Sequence, residues 1–133
     1  MRPAPIDALA SMKFRAGAPD KLGPFHYAVS HVAASRSWGL WTPEPRCVAC
    51  AGLYDHGDAR MEVWFACLPE ASRHMRGILR AAHLTLRPIV QSEGVTIFAR
   101  VAMGWRPGAR MASLFGMELA RTEAGDEIWE MRP

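Results

Sequence analysis

Residues 46 to 79, RCVACAGLYDHGDARMEVWFACLPEASRHMRGIL, constrain the fold more than any other part of this chain. Two apolar runs, RCVACAGLYDH and RMEVWFACL, flank a short HGDA segment. Apolar strands around a Gly-Asp turn make an antiparallel hairpin. Neither run alternates cleanly, so both belong near the middle of a covered sheet. The second run meets Pro69, and an arginine-studded helix begins. A strand feeding a helix N-terminus is a common phosphate site. Phosphate loops are normally built from glycine, however, and this bend carries Ser72, Arg73, His74 and Met75.

The helix after the bend is expected from about residue 70 to 87, with its C-terminal end left open beyond that. Met75, Ile78, Leu79, Ala82, Leu86, Ile89 and Val90 share one face at helical spacing. Pro88 is expected to kink or end it. Arg73, Arg76, Arg80, His83 and Arg87 form a second stripe, for which a solvated face is the plainer reading.

Elsewhere, PIDALASMKFR (5–15) and FHYAVSHVAAS (25–35) read as helices, joined by a loop rich in glycine and proline. SWGLWTP (37–43) reads as a short strand. SEGVTIFARVAM (92–103) reads as a loop and then a strand rich in β-branched residues. RPGARMASLFGM (106–117) reads as a short helix that starts at Pro107 and stops at Gly116. ELARTEAGDEIWEM (118–131) is a hairpin around Ala124-Gly125-Asp126.

At 133 residues a single domain, 1–133, is expected. No apolar run approaches the roughly 18 to 20 residues of a membrane helix. The first fifteen residues lack the long apolar centre of a signal peptide. A soluble, cytoplasmic protein is the expectation, with no membrane partner. The net charge is only +3, and the positive charge is nearly all arginine, because Lys13 and Lys21 are the only lysines. With no supporting motif, nucleic acid is not the expected partner. Three cysteines, Cys47, Cys50 and Cys67, argue against a disulfide framework. In a regular strand Cys47 and Cys50 point to opposite faces and share neither a bond nor a metal. No metal is expected.

Three blocks carry a family resemblance. MRPAPIDALASM is similar to the R-x-A-x-x-D start of the GNAT N-acetyltransferase superfamily. VWFACLPEASRHMRGIL stands where that family's fourth strand enters its acetyl-CoA helix. GARMASLFGMEL is similar to its late helix, with Met117 where phenylalanine is usual. The spacing also resembles the short GNAT-like proteins of phages and prophages, which have a similar E-x-W strand.

The resemblance implies an α/β (α+β) fold with a mixed, mostly antiparallel twisted sheet flanked by helices. Its order is β-α-α-β-β-β-α-β-α-β-β. It implies acetyl-CoA as co-substrate, in a splay between the strands at 60–68 and 95–103. Pantetheine would pair with backbone at Ala66, Cys67 and Leu68. The family's loop pattern, Q/R-x-x-G-x-G/A, falls on Ser72, Arg73, Met75 and Gly77, and only Gly77 agrees. Arg73 and Arg76 would supply charge-assisted bonds in place of backbone; alternatively Ser72 is a plain N-cap and the arginines are solvated.

The family's usual general-acid tyrosine falls on Ala112, which can donate nothing, with Ser113 beside it and Trp105 at the helix start. Glu62 is the first candidate for general base, as the one acid in an apolar strand, where burial raises a carboxyl pKa. Asp55 and His56 come next, and an exposed position or a salt bridge is the plainer reading of Glu62. Trp38, Trp41, Trp64 and Trp105 either line an acceptor cleft or belong to the core. The implied activity is N-acetyl transfer to a small-molecule or protein amine. The alternative is an inactive GNAT-fold structural or protein-binding module, phage- or prophage-derived. A homodimer is the commonest closed assembly.

Overall fold

The computed structural model describes residues 36–41 and 47–133. The first strand and the two helices expected before residue 36 lie outside these residues. Strands β1 (Arg36–Trp41), β2 (Cys47–Gly57) and β3 (Arg60–Cys67) come first. A 3₁₀ turn, Pro69–His74, leads into helix α1 (Met75–Glu93). Then follow β4 (Thr96–Ala102), α2 (Arg106–Leu114), β5 (Glu118–Glu123) and β6 (Asp126–Met131).

The six strands form one sheet in the order β1-β2-β3-β4-β6-β5. β1 runs antiparallel to β2, and β6 runs antiparallel to both β4 and β5. β3 and β4 are parallel, as a crossover through α1 requires. The expected mixed, mostly antiparallel sheet is therefore present. The chain divides into two compact units, residues up to Tyr54 with Trp64–Ile78, and Asp55–Val63 with Leu79–Pro133.

In the first unit, Val48, Ala49, Cys50, Leu53, Ala66 and Ile78 are buried. Trp64 is also buried and lies across Gly52, where a Cβ would come within 2.5 Å of the indole. Glycine is needed there for packing. The β1–β2 register shifts between Leu40, opposite Ala49, and Trp41, opposite Cys47. Val48 is thus the extra residue of a β-bulge.

In the second unit, Ile97, Ile128 and Val90 are completely buried, each worth about 1.5–3 kcal/mol of apolar transfer. Helix α2 packs on β4 and β6. It ends in a Schellman motif: the Gly116 N–H bonds the Ser113 carbonyl and the Met117 N–H bonds that of Ala112. Gly116 has φ of +88°, so the expected stop is realised.

Pro88 does not end α1, which continues to Glu93. Proline deprives the Leu84 carbonyl of its helical partner. Leu84 and Pro88 are both exposed, so water can serve that carbonyl at little cost. The apolar face is otherwise as read, with Ile78, Leu86 and Val90 buried. The start differs as well, because residues 69–74 take the tighter 3₁₀ form.

Candidate active site

The parallel ladder between β3 and β4 has three rungs, Arg60↔Thr96, Met61↔Ile97 and Glu62↔Phe98. Glu62 stands on the last. Phe98 in turn faces Glu130 on β6, so Glu62, Phe98 and Glu130 share one sheet face. The Glu62 side chain keeps 21% of its exposure. Its Oε1 lies 2.9 Å from His56 Nε2 and 3.7 Å from Arg100 Nε. It is therefore partly exposed and ion-paired, the plainer of the two readings, and the hairpin brings His56 back across from it. Its other oxygen, Oε2, has no protein partner among the described residues. Of the two further candidates, His56 is the partner of Glu62, and Asp55 accepts the Gly57 N–H and serves the turn.

Phe98 is buried beneath three cationic or titratable groups. The His56 ring lies 5.2 Å from its centroid, and the guanidinium carbons of Arg60 and Arg100 lie 4.6 and 5.6 Å away. Cation–π attraction holds both arginines against the ring.

Sequence reasoning missed Glu130, the one charged residue in the buried core of the described residues. Its Oε2 accepts N–H bonds from Arg60 at 3.0 Å and Arg121 at 3.2 Å. Its Oε1 accepts two from Arg132, at 3.1 and 2.9 Å. Burial alone would push this carboxyl up. The bonds from Arg132, Arg60 and Arg121 reverse that and hold it below the ordinary carboxylate range. Arg121 reaches Glu130 because β5 carries a bulge at Ala120, which turns it onto the Glu130 face. The alternation R-x-E at 60–62 and F-x-R at 98–100 was the available signal for this face; the bulge had none.

At the far end of β3, Ala66 is completely buried, and Cys67 and Leu68 are half-buried. The Leu68 N–H donates to the Val48 carbonyl, and the Leu68 carbonyl accepts from Ala71 N–H. Backbone polarity alternates along a strand, so Cys67, not Leu68, presents its groups to the edge away from β2. Met75 is half-buried, and Ser72, Arg73, Arg76 and Gly77 are exposed. Ser72 is not the N-cap: Leu68 holds that position, and Ser72 Oγ donates to the Pro69 carbonyl. Each 3₁₀ turn ties an N–H to the carbonyl three residues before it. The bend therefore spends most of its N–H groups internally. Arg73 and Arg76 have no partner among the described residues. The stripe continues as Arg80, His83 and Arg87, all exposed; His83 Nε2 meets the Leu114 carbonyl and Arg87 donates to that of Arg132.

Cys47 and Cys50 do not point to opposite faces as a regular strand would have them. Cys47 and Cys50 Sγ atoms lie 3.7 Å apart, both buried. The bulge at Val48 shifts the alternation by one and puts both thiols on one face. Burial pushes the Cys50 thiol up, and the adjacent Cys47 adds to this. Among the described residues, no group of three or more His, Cys, Asp or Glu is placed to hold a metal. No helix among them is long and apolar enough to cross a membrane. Ala112 is buried, Ser113 is exposed, and Trp105 caps α2 from an exposed position. Trp64 belongs to the core, and Trp38 and Trp41 are half-buried.

Solved structures with this arrangement include acetyltransferases. An acetyltransferase from Agrobacterium tumefaciens superposes with a TM-score of 0.69 at 15% identity, covering 99% of this chain and 89% of the other. A GNAT-family acetyltransferase from Bacillus anthracis gives 0.60 at 16% identity, covering 93% and 77%. The chain has the GNAT fold. Mutant forms of the spermidine/spermine N-acetyltransferase of Vibrio cholerae give 0.56 at 12% identity, covering 94% and 81%. No family model and no curated protein matches the sequence.

Proposed function

We propose that this protein transfers an acetyl group from acetyl-CoA to an amine, with Glu62 as general base. The observation that carries the proposal is the unengaged Oε2 of Glu62 on the last rung of the parallel ladder, in a chain with the GNAT fold. Acetyl-CoA would supply the acyl group, activated as a thioester. Glu62 Oε2 takes the proton that the amine sheds as its nitrogen bonds to the acyl carbon. His56, 2.9 Å from Oε1, orients the carboxylate. Ala112 offers no proton to the departing thiolate, so water supplies it.

The residues at the bend fit the pyrophosphate in one respect and depart from the family in another. Gly77 is exposed within α1, and a Cβ there would meet nothing. Neither packing nor a positive φ asks for glycine, which costs an exposed helix about 1 kcal/mol relative to alanine. Close approach of a ligand would ask for it. The departure is the 3₁₀ turn, which leaves Arg73 and Arg76, rather than a glycine loop, to meet the phosphates.

Release of free CoA, followed with a thiol reagent over a panel of amines, tests the proposal. Glu62→Gln should lower kcat by about 10²- to 10⁴-fold. Unchanged turnover would remove Glu62 from the role. The closed 3₁₀ turn and Ala112 favour a second reading, an inactive GNAT-fold module that binds a protein partner or a second copy of itself. Stable self-association without acetyl-CoA binding would support it.

A further inference from the structure

Arg100 is held in place but not used up. It lies on β4, one register step from Phe98 on the same face, and its side chain keeps 29% of its exposure. Phe98 supports it from below at 5.6 Å, and its Nε stands 3.7 Å from Glu62 Oε1, too long for a hydrogen bond. Its two terminal nitrogens meet no partner among the described residues. Arg60, on the other side of Phe98, spends its NH1 on buried Glu130. Arg100 is therefore the positioned guanidinium of this face with a free fork, beside the carboxylate whose Oε2 is also free.

A guanidinium fork matches a carboxylate by two parallel N–H bonds. We propose that the acceptor is an amine that itself carries a carboxylate, an amino acid or a short ω-amino acid. Arg100 holds the acid end, and Glu62 Oε2 receives the proton from the amine end. This rests on the acetyl-transfer reading of the site. A polycationic amine is disfavoured, because its second ammonium would meet the free fork of Arg100 where the carboxylate is to sit.

Three probes separate the possibilities: β-alanine, propylamine (the same chain without the carboxylate) and spermidine. β-Alanine should be the best acceptor by kcat/KM. In Arg100→Gln the ratio of β-alanine to propylamine kcat/KM should fall about 10- to 100-fold, mostly through KM. Arg100→Lys, which keeps the charge without the fork, should fall between. Binding of β-alanine is read separately by NMR of the arginine Nε–H resonances, without acetyl-CoA. If acetyl-CoA binds and spermidine or propylamine is preferred, or the ratio does not move in Arg100→Gln, the inference is overturned and acetyl transfer stands. If no amine is acetylated yet β-alanine shifts the Arg100 resonance, acetyl transfer falls and carboxylate recognition stands. If β-alanine is neither acetylated nor bound, the inference is overturned.

Discussion

Replacing Glu130 by glutamine should destabilise the protein by about 2–3 kcal/mol, and the loss should vanish in acid. The carboxylate is buried, with 4% of its side chain exposed, and both oxygens accept arginine N–H bonds. Whichever way a glutamine amide points, its NH₂ faces arginine donors. Arg121 and Arg132 keep 45% and 71% of their side-chain exposure, so water can replace their partner. The cost falls mainly on Arg60 and on the desolvated carboxylate, where a buried charged hydrogen bond is worth about 1.5–3 kcal/mol.

The pH dependence follows from the lowered folded-state pKa. An unfolded glutamate titrates near pH 4.3. A depressed folded value gives stability that is fully present above that pH and is lost as pH falls through the folded value. Urea unfolding of both proteins, from neutral pH downward, reads the difference directly. The gap should be constant above about pH 5 and should close in more acidic solution. Equal stability at neutral pH, or a gap that stays constant into acid, would refute the reasoning.

Three further outcomes follow from the backbone and the thiols. Gly116→Ala should cost about 1–2 kcal/mol in thermal or urea unfolding, because φ is +88° and the new Cβ would stand 3.2 Å from His83 Cε1. Ala59→Gly should stabilise by up to about 1 kcal/mol, since Ala59 sits at φ +57° in the β2–β3 turn. No change on unfolding would contradict either. Under native conditions a thiol reagent should modify Cys67 first, with Cys47 and Cys50 reacting only on unfolding. Fast labelling of Cys50, read by mass spectrometry, would contradict the burial that raises its pKa.

Much of the fold was legible because local chemistry and tertiary structure agree in it. Gly116 ends α2, Ala124-Gly125 turns β5 into β6, and the apolar face of α1 is the one its spacing shows. The failures share a cause. Bulges at Val48 and Ala120 each shift strand parity by one, and no residue type announces them. One pairs Cys47 with Cys50; the other delivers Arg121 to Glu130. Pro88 left the end of α1 open, because the cost of proline in a helix depends on whether the carbonyl it orphans is wet. At the site, Glu62 was visible as the lone acid of an apolar strand. Its place beside Phe98 and Arg100 was not, since they meet it only through sheet register.

A GNAT fold with a 3₁₀ turn in place of a glycine loop should still take acetyl-CoA. Calorimetric titration of the purified protein with acetyl-CoA tests it most directly. Micromolar binding that weakens about tenfold or more in the Arg73→Ala, Arg76→Ala double variant is the result predicted from charge-assisted phosphate contacts. No heat of binding at millimolar acetyl-CoA would contradict the account.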